Sequence, residues 1–301
     1  MTRLIMPVLV SALLMSAARA YAQDATVTPK DVMVYGMKIH YLEAGRGAPV
    51  ILLHGSGGEG ARWMPTIRGL ASTHRVFALD QIGFGASDKP PANFHTGVFS
   101  GFLQGFMKAI GIPKATLIGQ SMGAGVALYF SIHHPDMVDR LVLVNGGGFR
   151  SVDAAPRSPS PIDWHARQIA NAGTLEESRE YLEKLYYDDA FVTDELVESN
   201  LILRLKSAYT VESSSRAGER GLGVTTEGEV RALRVPTLLL WGKDDVLSGP
   251  AKCRPPECGD LGFQEDVHRE GWSLPVHRTA SPVQQGRSGI SCGCCVHRVA
   301  C

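Results

Sequence analysis

The residues most suited to chemistry are Gly119-Gln120-Ser121-Met122-Gly123, with Gly125 just beyond. An apolar run, Ala115 to Gly119, precedes them, and a helix-compatible stretch, Ala124 to Ile132, follows. A serine between a strand and a helix sits on a tight turn whose strained backbone presents its hydroxyl, and the turn closes only if its neighbours are small. Gly119 and Gly123 meet that requirement. The chemistry implied is nucleophilic attack by Ser121 on a carbonyl. A serine hydroxyl needs a base to take its proton, and the oxyanion it creates needs donors already in place. One donor is expected at the backbone N–H of Met122, at the helix start, and a second at Ser56 or Gly57 in the loop His54-Gly55-Ser56-Gly57-Gly58.

An acid partner is expected where Trp241-Gly242-Lys243-Asp244-Asp245 leaves another apolar run. Asp245 is chosen over Asp244. His54 is near in sequence to the expected donors, but it is read as a prop for that loop, because the base must approach the serine from the other side.

These groups need a scaffold that brings several strand ends together. Pro49 to Leu53, Val76 to Asp80, Ala115 to Gly119, Leu141 to Asn145 and Thr237 to Trp241 are short, continuous apolar runs. Strands buried on both faces look like this, so a mostly parallel, doubly wound α/β sheet covered by helices is expected, with function at the strands' carboxyl ends. Val32 to Tyr35 and Lys38 to Leu42, separated by Gly36-Met37, predict an antiparallel hairpin before it. Phe102 to Ile110 has helical spacing and stops at Gly111-Ile112-Pro113. Between Arg150 and about Val230 the strand pattern lapses, and Thr174 to Tyr187 and Val192 to Leu205 read as amphipathic helices of a lid. Thr174 with Glu177 has capping-box spacing. The organisation expected is a leader at 1–22, a core at 31–150, a lid at 151–230, a strand and acid loop at 231–248, and an atypical tail at 249–301.

Thirty basic and thirty acidic side chains cancel, so no global field would draw the chain to nucleic acid or an anionic membrane; a small molecule is the expected partner. Met1-Thr2-Arg3, the apolar run to Ala18 and the small residues to Ala22 have the layout of a secretory signal peptide. About 15 apolar residues fall short of the ~20 that span a bilayer. Export, with cleavage near Ala20 or Ala22 and no membrane anchor afterwards, is the expectation. All six cysteines lie between Cys253 and Cys301, where apolar periodicity is also lost. Three disulfides or a metal site around Cys292-Gly293-Cys294-Cys295 would be the alternatives for that tail. Neither is preferred, and no metal or cofactor is expected.

His54-Gly55-x-Gly57, the turn Asp80 to Pro90, the Ser121 turn and Trp241 to Asp245 together resemble the α/β-hydrolase superfamily over about 31–247. Within it, the chain looks most like the lidded meta-cleavage-product C–C hydrolases and related small esterases. The resemblance implies cofactor-free, water-dependent cleavage of a small ester or of a vinylogous 1,5-diketone acid. It also implies a last strand and helix after the acid, with the base histidine in a Gly-His element before that helix. Neither is recognisable here: His268, His277 and His297 do not follow a glycine or precede an apolar helix.

The genetic code offers an account. Reading the codons of Glu270 to Ser291 one nucleotide later forces Gly across Trp272-Ser273 and allows His across Ser273-Leu274, followed by a helix-compatible run. We therefore expect a frameshift in the gene between about Val246 and Cys253, an impaired site lacking its base, and a sheet that ends at Trp241. The alternatives carried forward are a non-catalytic small-molecule binding protein on the same scaffold, and a cofactor-free haloperoxidase or acyltransferase.

Overall fold

The computed structural model describes residues 26–146, 173–186, 188–220, 223, 225–242, 263–266 and 294–299, the last two segments as backbone. A hairpin opens the chain: β1 (Thr28–Val34) pairs antiparallel with β2 (Met37–Ala44). Its two turn residues are Tyr35 (φ 51°) and Gly36 (φ 77°), not the expected Gly36-Met37. Two successive positive φ values give the turn whose twist matches that of the strands.

β3 (Ala48–Leu53), β4 (His74–Leu79), β5 (Ala115–Gln120), β6 (Val138–Val144) and β7 (Thr237–Gly242) follow. Pairings β3/β4, β3/β5, β5/β6 and β6/β7 are parallel, and β2 joins β4 antiparallel. Along β3, Ile51 and Leu53 enter one core while Val50 and Leu52 enter the other. Both faces of the central parallel strands are thus buried, which is why β3 to β7, unlike β2, show no polar alternation. The larger core takes the apolar sides of α2 (Thr96–Ala109) and α3 (Met122–His133); the smaller packs under Trp63 and Ile67, the latter on α1 (Met64–Leu70).

Between β6 and β7 lie α4 (Leu175–Leu185), α5 (Asp194–Glu219) and α6 (Glu227–Arg231). The capping box at Thr174 is present: its hydroxyl accepts from Glu177 N (3.1 Å), and the Glu177 carboxylate accepts from Thr174 N (2.9 Å). α5 runs 26 residues, well past the expected end at Leu205. Ser207 bonds back to Leu203 O (2.7 Å), Thr210 donates to Gly83 O (3.1 Å), and Ser213 donates to Ala92 O (3.0 Å) while accepting from Phe94 N (2.9 Å). The inward side of this half is polar because it binds backbone.

The sheet does not end at Trp241. β9 (Cys294–Val299) pairs antiparallel with β7, Trp241 opposite Cys295, and β8 (Phe263–Asp266) pairs antiparallel with β9. An uncovered β7 would offer a row of unpaired N–H and C=O groups, and the tail segment supplies their partners. The strand order is β1-β2-β4-β3-β5-β6-β7-β9-β8.

Candidate active site

β5 and α3 meet at Ser121, whose φ of 52° and ψ of −116° are rare for any residue with a side chain. Such a backbone costs on the order of 1–3 kcal/mol and persists only where its surroundings hold it. Here Ser121 N donates to Val144 O (3.0 Å), and Ser121 O accepts from Ala124 N (3.0 Å) and Gly125 N (3.2 Å). Close approach of backbone completes the enclosure. A Cβ on Gly119 would stand 2.3 Å from Gly123 O, and one on Gly123 would stand 2.2 Å from Leu53 O. Both expected turn glycines are therefore required by contact.

Two further glycines border the serine: Gly55, part of the expected His54-Gly55-x-Gly57 loop, and Gly146, to which the sequence assigns no role. A Cβ on Gly55 would lie 3.2 Å from Ser121 Cβ and 2.6 Å from Gln120 Oε1. On Gly146 it would lie 2.6 Å from both Cα and O of Ser121. The only signal for Gly146 was its place in Asn145-Gly146-Gly147-Gly148, immediately after a strand.

Ser121 occupies the N-cap position of α3, yet its side chain makes no capping hydrogen bond. The hydroxyl is therefore not consumed by its own helix. Met122 and Gly123 open that helix, where N–H groups have no intrahelical acceptor and the dipole favours negative charge. On the other side, Gly58 N donates to Gly55 O (3.1 Å), closing a turn with Gly57 at φ 69°. Ser56 and Gly57 are the central residues of that turn, so their N–H groups are not used to close it.

His54 is fixed from both sides. Its Nδ1–H donates to Gly55 O (2.7 Å), its Nε2 accepts from Gln81 N (3.1 Å), and its carbonyl accepts from Gln81 Nε2 (2.8 Å). The ring is buried and meets Phe84 edge-on. Burial holds its pKa down at about 4, against 6.5 for an ordinary histidine, the Gly55 carbonyl opposing only in part. With both nitrogens engaged and the ring neutral, His54 is a loop prop. The unfolded chain protonates near pH 6.5 but the folded one only near 4, so this residue's contribution to stability is complete above 6.5 and is lost as pH falls towards 4. His54→Gln is expected to lower the melting temperature at pH 8 and to flatten its decline between pH 6.5 and 4; an unchanged acid slope would show that another group titrates.

Asp80 anchors the neighbouring turn, accepting from Gly60 N (2.6 Å) and Ala86 N (2.7 Å), while its carbonyl accepts from Ser87 Oγ (2.5 Å). Gly85 (φ 51°) is required beside it, since a Cβ there would lie 2.1 Å from Asp80 Oδ2. Gly83, in the same turn, is one of the residues to which α5 is bonded.

The end of β7 reaches this region at Gly242, whose N–H donates to Asn145 Oδ1 (3.2 Å). Asp244, Asp245, His268 and His277 lie outside the described residues, as do the leader and 147–172. His297 lies on β9 opposite Leu239 and Glu265. Among the described residues, no three His, Cys, Asp or Glu side chains are grouped to hold a metal, and no helix is long and apolar enough to cross a membrane.

The family model described as the alpha/beta hydrolase fold matches residues 48–200, from β3 into α5. The chain belongs to the α/β-hydrolase family. Among curated relatives, it is 30% identical over 231 residues to the 2-hydroxy-6-oxo-6-phenylhexa-2,4-dienoate hydrolase of Comamonas testosteroni, covering 73% of this chain and 79% of that protein. It is 33% identical over 220 residues to the 2-hydroxy-6-oxo-6-(2'-aminophenyl)hexa-2,4-dienoic acid hydrolase of Metapseudomonas resinovorans, covering 70% and 72%. Among solved structures, the meta-cleavage product hydrolase of Pseudomonas fluorescens superposes with a TM-score of 0.65 at 27% identity, covering 77% of this α/β hydrolase and 85% of the other chain. A bacterial membrane phospholipase A superposes with 0.64 at 28% identity, covering 81% and 80%. This α/β hydrolase thus stands near the meta-cleavage-product branch, as the sequence motifs implied.

Proposed function

We propose that this α/β hydrolase is built to cleave a small ester or the C–C bond of a vinylogous diketone acid through Ser121, without a cofactor. The observation that carries the reading is Ser121 itself, held at φ 52° with its hydroxyl free of its helix and Gly55 against its Cβ. Ser121 Oγ attacks the carbonyl, and the resulting oxyanion is held by Met122 N–H and by Ser56 or Gly57 N–H. Asp245 follows Gly242 by three residues and is assigned the role of orienting a base. Collapse of the oxyanion breaks the ester C–O or the C–C bond, the departing alkoxide or carbanion takes up the proton that the serine gave to the base, and water then hydrolyses the acyl-serine. The relatives named for dienoate hydrolysis favour the C–C substrate. Export after removal of a leader at 1–22 is part of the proposal, and the partner is a small molecule.

Among the described residues no base is assigned. His54 is engaged at both nitrogens, and none of the tail histidines has the expected setting. That favours a second reading, in which this chain binds a small molecule and turns over little or none of it.

Ser121 is expected to be the sole residue labelled by an organophosphonate, slowly, and any hydrolysis of a p-nitrophenyl ester should vanish in Ser121→Ala. Peptide mapping and a rate assay check both. A label recovered on another serine would falsify the assignment; stabilisation by a ligand without ester turnover would select the binding protein.

A further inference from the structure

The ladder between β6 and β7 changes character at Asn145. Up to Val144, opposite Leu240, it is formed by backbone alone. Asn145 N still donates to Leu240 O (2.9 Å), but Asn145 then turns to φ 46°, and β6 departs from the sheet. The next β7 donor, Gly242 N–H, is met instead by the Asn145 side-chain oxygen at 3.2 Å. Asparagine suits both tasks: it tolerates the left-handed region better than other residues with a side chain, and its carboxamide imitates a backbone acceptor.

The residue after it touches the serine. Gly146 lies so close that its Cβ would fall within 2.6 Å of Ser121 Cα. Ser121 N is also bonded to Val144 O (3.0 Å), the residue before Asn145. Positions 144, 145 and 146 therefore grip, in turn, the serine backbone, the end of β7, and the serine backbone again.

We propose that Asn145 is a positioning residue that locks the end of β7, three residues before Asp245 in the sequence, to the turn carrying Ser121. The inference rests on the serine-hydrolase reading and adds to it a residue that touches no reacting atom. Its effect is exerted through Gly242 on one side and Gly146 on the other.

Three substitutions in the full chain separate the side-chain bond from the backbone conformation. Asn145→Gly keeps the positive φ accessible but loses the acceptor, Asn145→Ala loses both, and Asn145→Asp keeps an acceptor in place. Amide hydrogen exchange at Gly242, followed by NMR, is expected to quicken roughly tenfold or more in the Gly and Ala variants and to stay near the parent rate in Asp. In the same two variants the maximal rate of Ser121 phosphonylation is expected to fall by up to about 100-fold, the half-saturating concentration and the labelled fraction staying put. A purely structural defect would lower the labelled fraction instead. Unchanged Gly242 exchange in Asn145→Gly, or unchanged maximal labelling rate, overturns the inference while leaving Ser121 in place. If the unsubstituted chain is labelled elsewhere than Ser121, the serine reading fails and this inference fails with it.

Discussion

Gly123→Ala is expected to yield a protein whose Ser121 no longer reacts with a phosphonate and whose melting temperature falls by on the order of 10 °C. The added methyl would have to lie 2.2 Å from Leu53 O and 2.6 Å from His54 O, both backbone atoms that cannot step aside without moving β3 or the loop beyond it. Either movement shifts the Ser121 turn relative to Ser56 and Gly57. Gly125→Ala, two residues along the same helix, is the control, since nothing lies within 4 Å of its Cβ. There the better helix former should raise stability by up to about 1 kcal/mol. Thermal melts and labelling of the two variants check the pair, and equal behaviour would remove the close-approach argument.

The second large effect concerns the base. Translating the tail in the neighbouring frame from about codon 250 is expected to raise ester turnover by roughly 10²–10⁴-fold, the usual worth of a positioned general base. In that restored protein, Asp245→Asn should lower kcat about 10⁴-fold, and Asp244→Asn should change it little. Rates measured beside Ser121→Ala decide the matter. A parent chain already as fast as the restored one would end the frameshift account, and the reverse order of the two aspartates would move the acid to Asp244. Because β9 already pairs with β7, restoration is not expected to act by covering a bare strand.

Local pattern makes some elements legible and hides others. β3 to β7 are readable because burial on both faces leaves continuous apolar runs such as Val50 to Leu53, with polar residues such as Asp139 and Arg140 kept near the strand's start. The Ser121 turn was readable because small residues at fixed offsets are a steric necessity. The second half of α5 was not, since Ser207, Thr210 and Ser213 face inward and bond backbone oxygens, and a search for apolar spacing passes over them. Tyr35 at positive φ was hidden by its preference for strands. β8 and β9 are hidden differently: the pairing of β9 with β7 and of β8 with β9 needs only backbone groups, and these leave little imprint on composition. Gly146 is defined by what lies across from it, which no local pattern contains, whereas Gly55 belongs to the legible His54-Gly55-x-Gly57 motif.

The attachment of α5 has a mechanical consequence. The helix is bonded to the core turns at Thr210 and Ser213, while its first turn is bonded to α4 through Ser178 to Val197 O (3.0 Å), and Arg179 of α4 holds the residue pair before it at Val192 O (3.2 Å). At a rise of about 1.5 Å per residue, the part from Asp194 to Thr210 spans roughly 24 Å between these two attachments. It is a beam held at both ends, since Val197 near its start is buried in the same apolar core as Leu182 of α4. Load on such a beam is taken up at its supports, whereas Ser121 is held separately by β5, β6 and the Gly55 loop. Substitutions at exposed positions of the span, Ile202 and Leu205 among them, therefore touch neither support nor the turn that presents the serine.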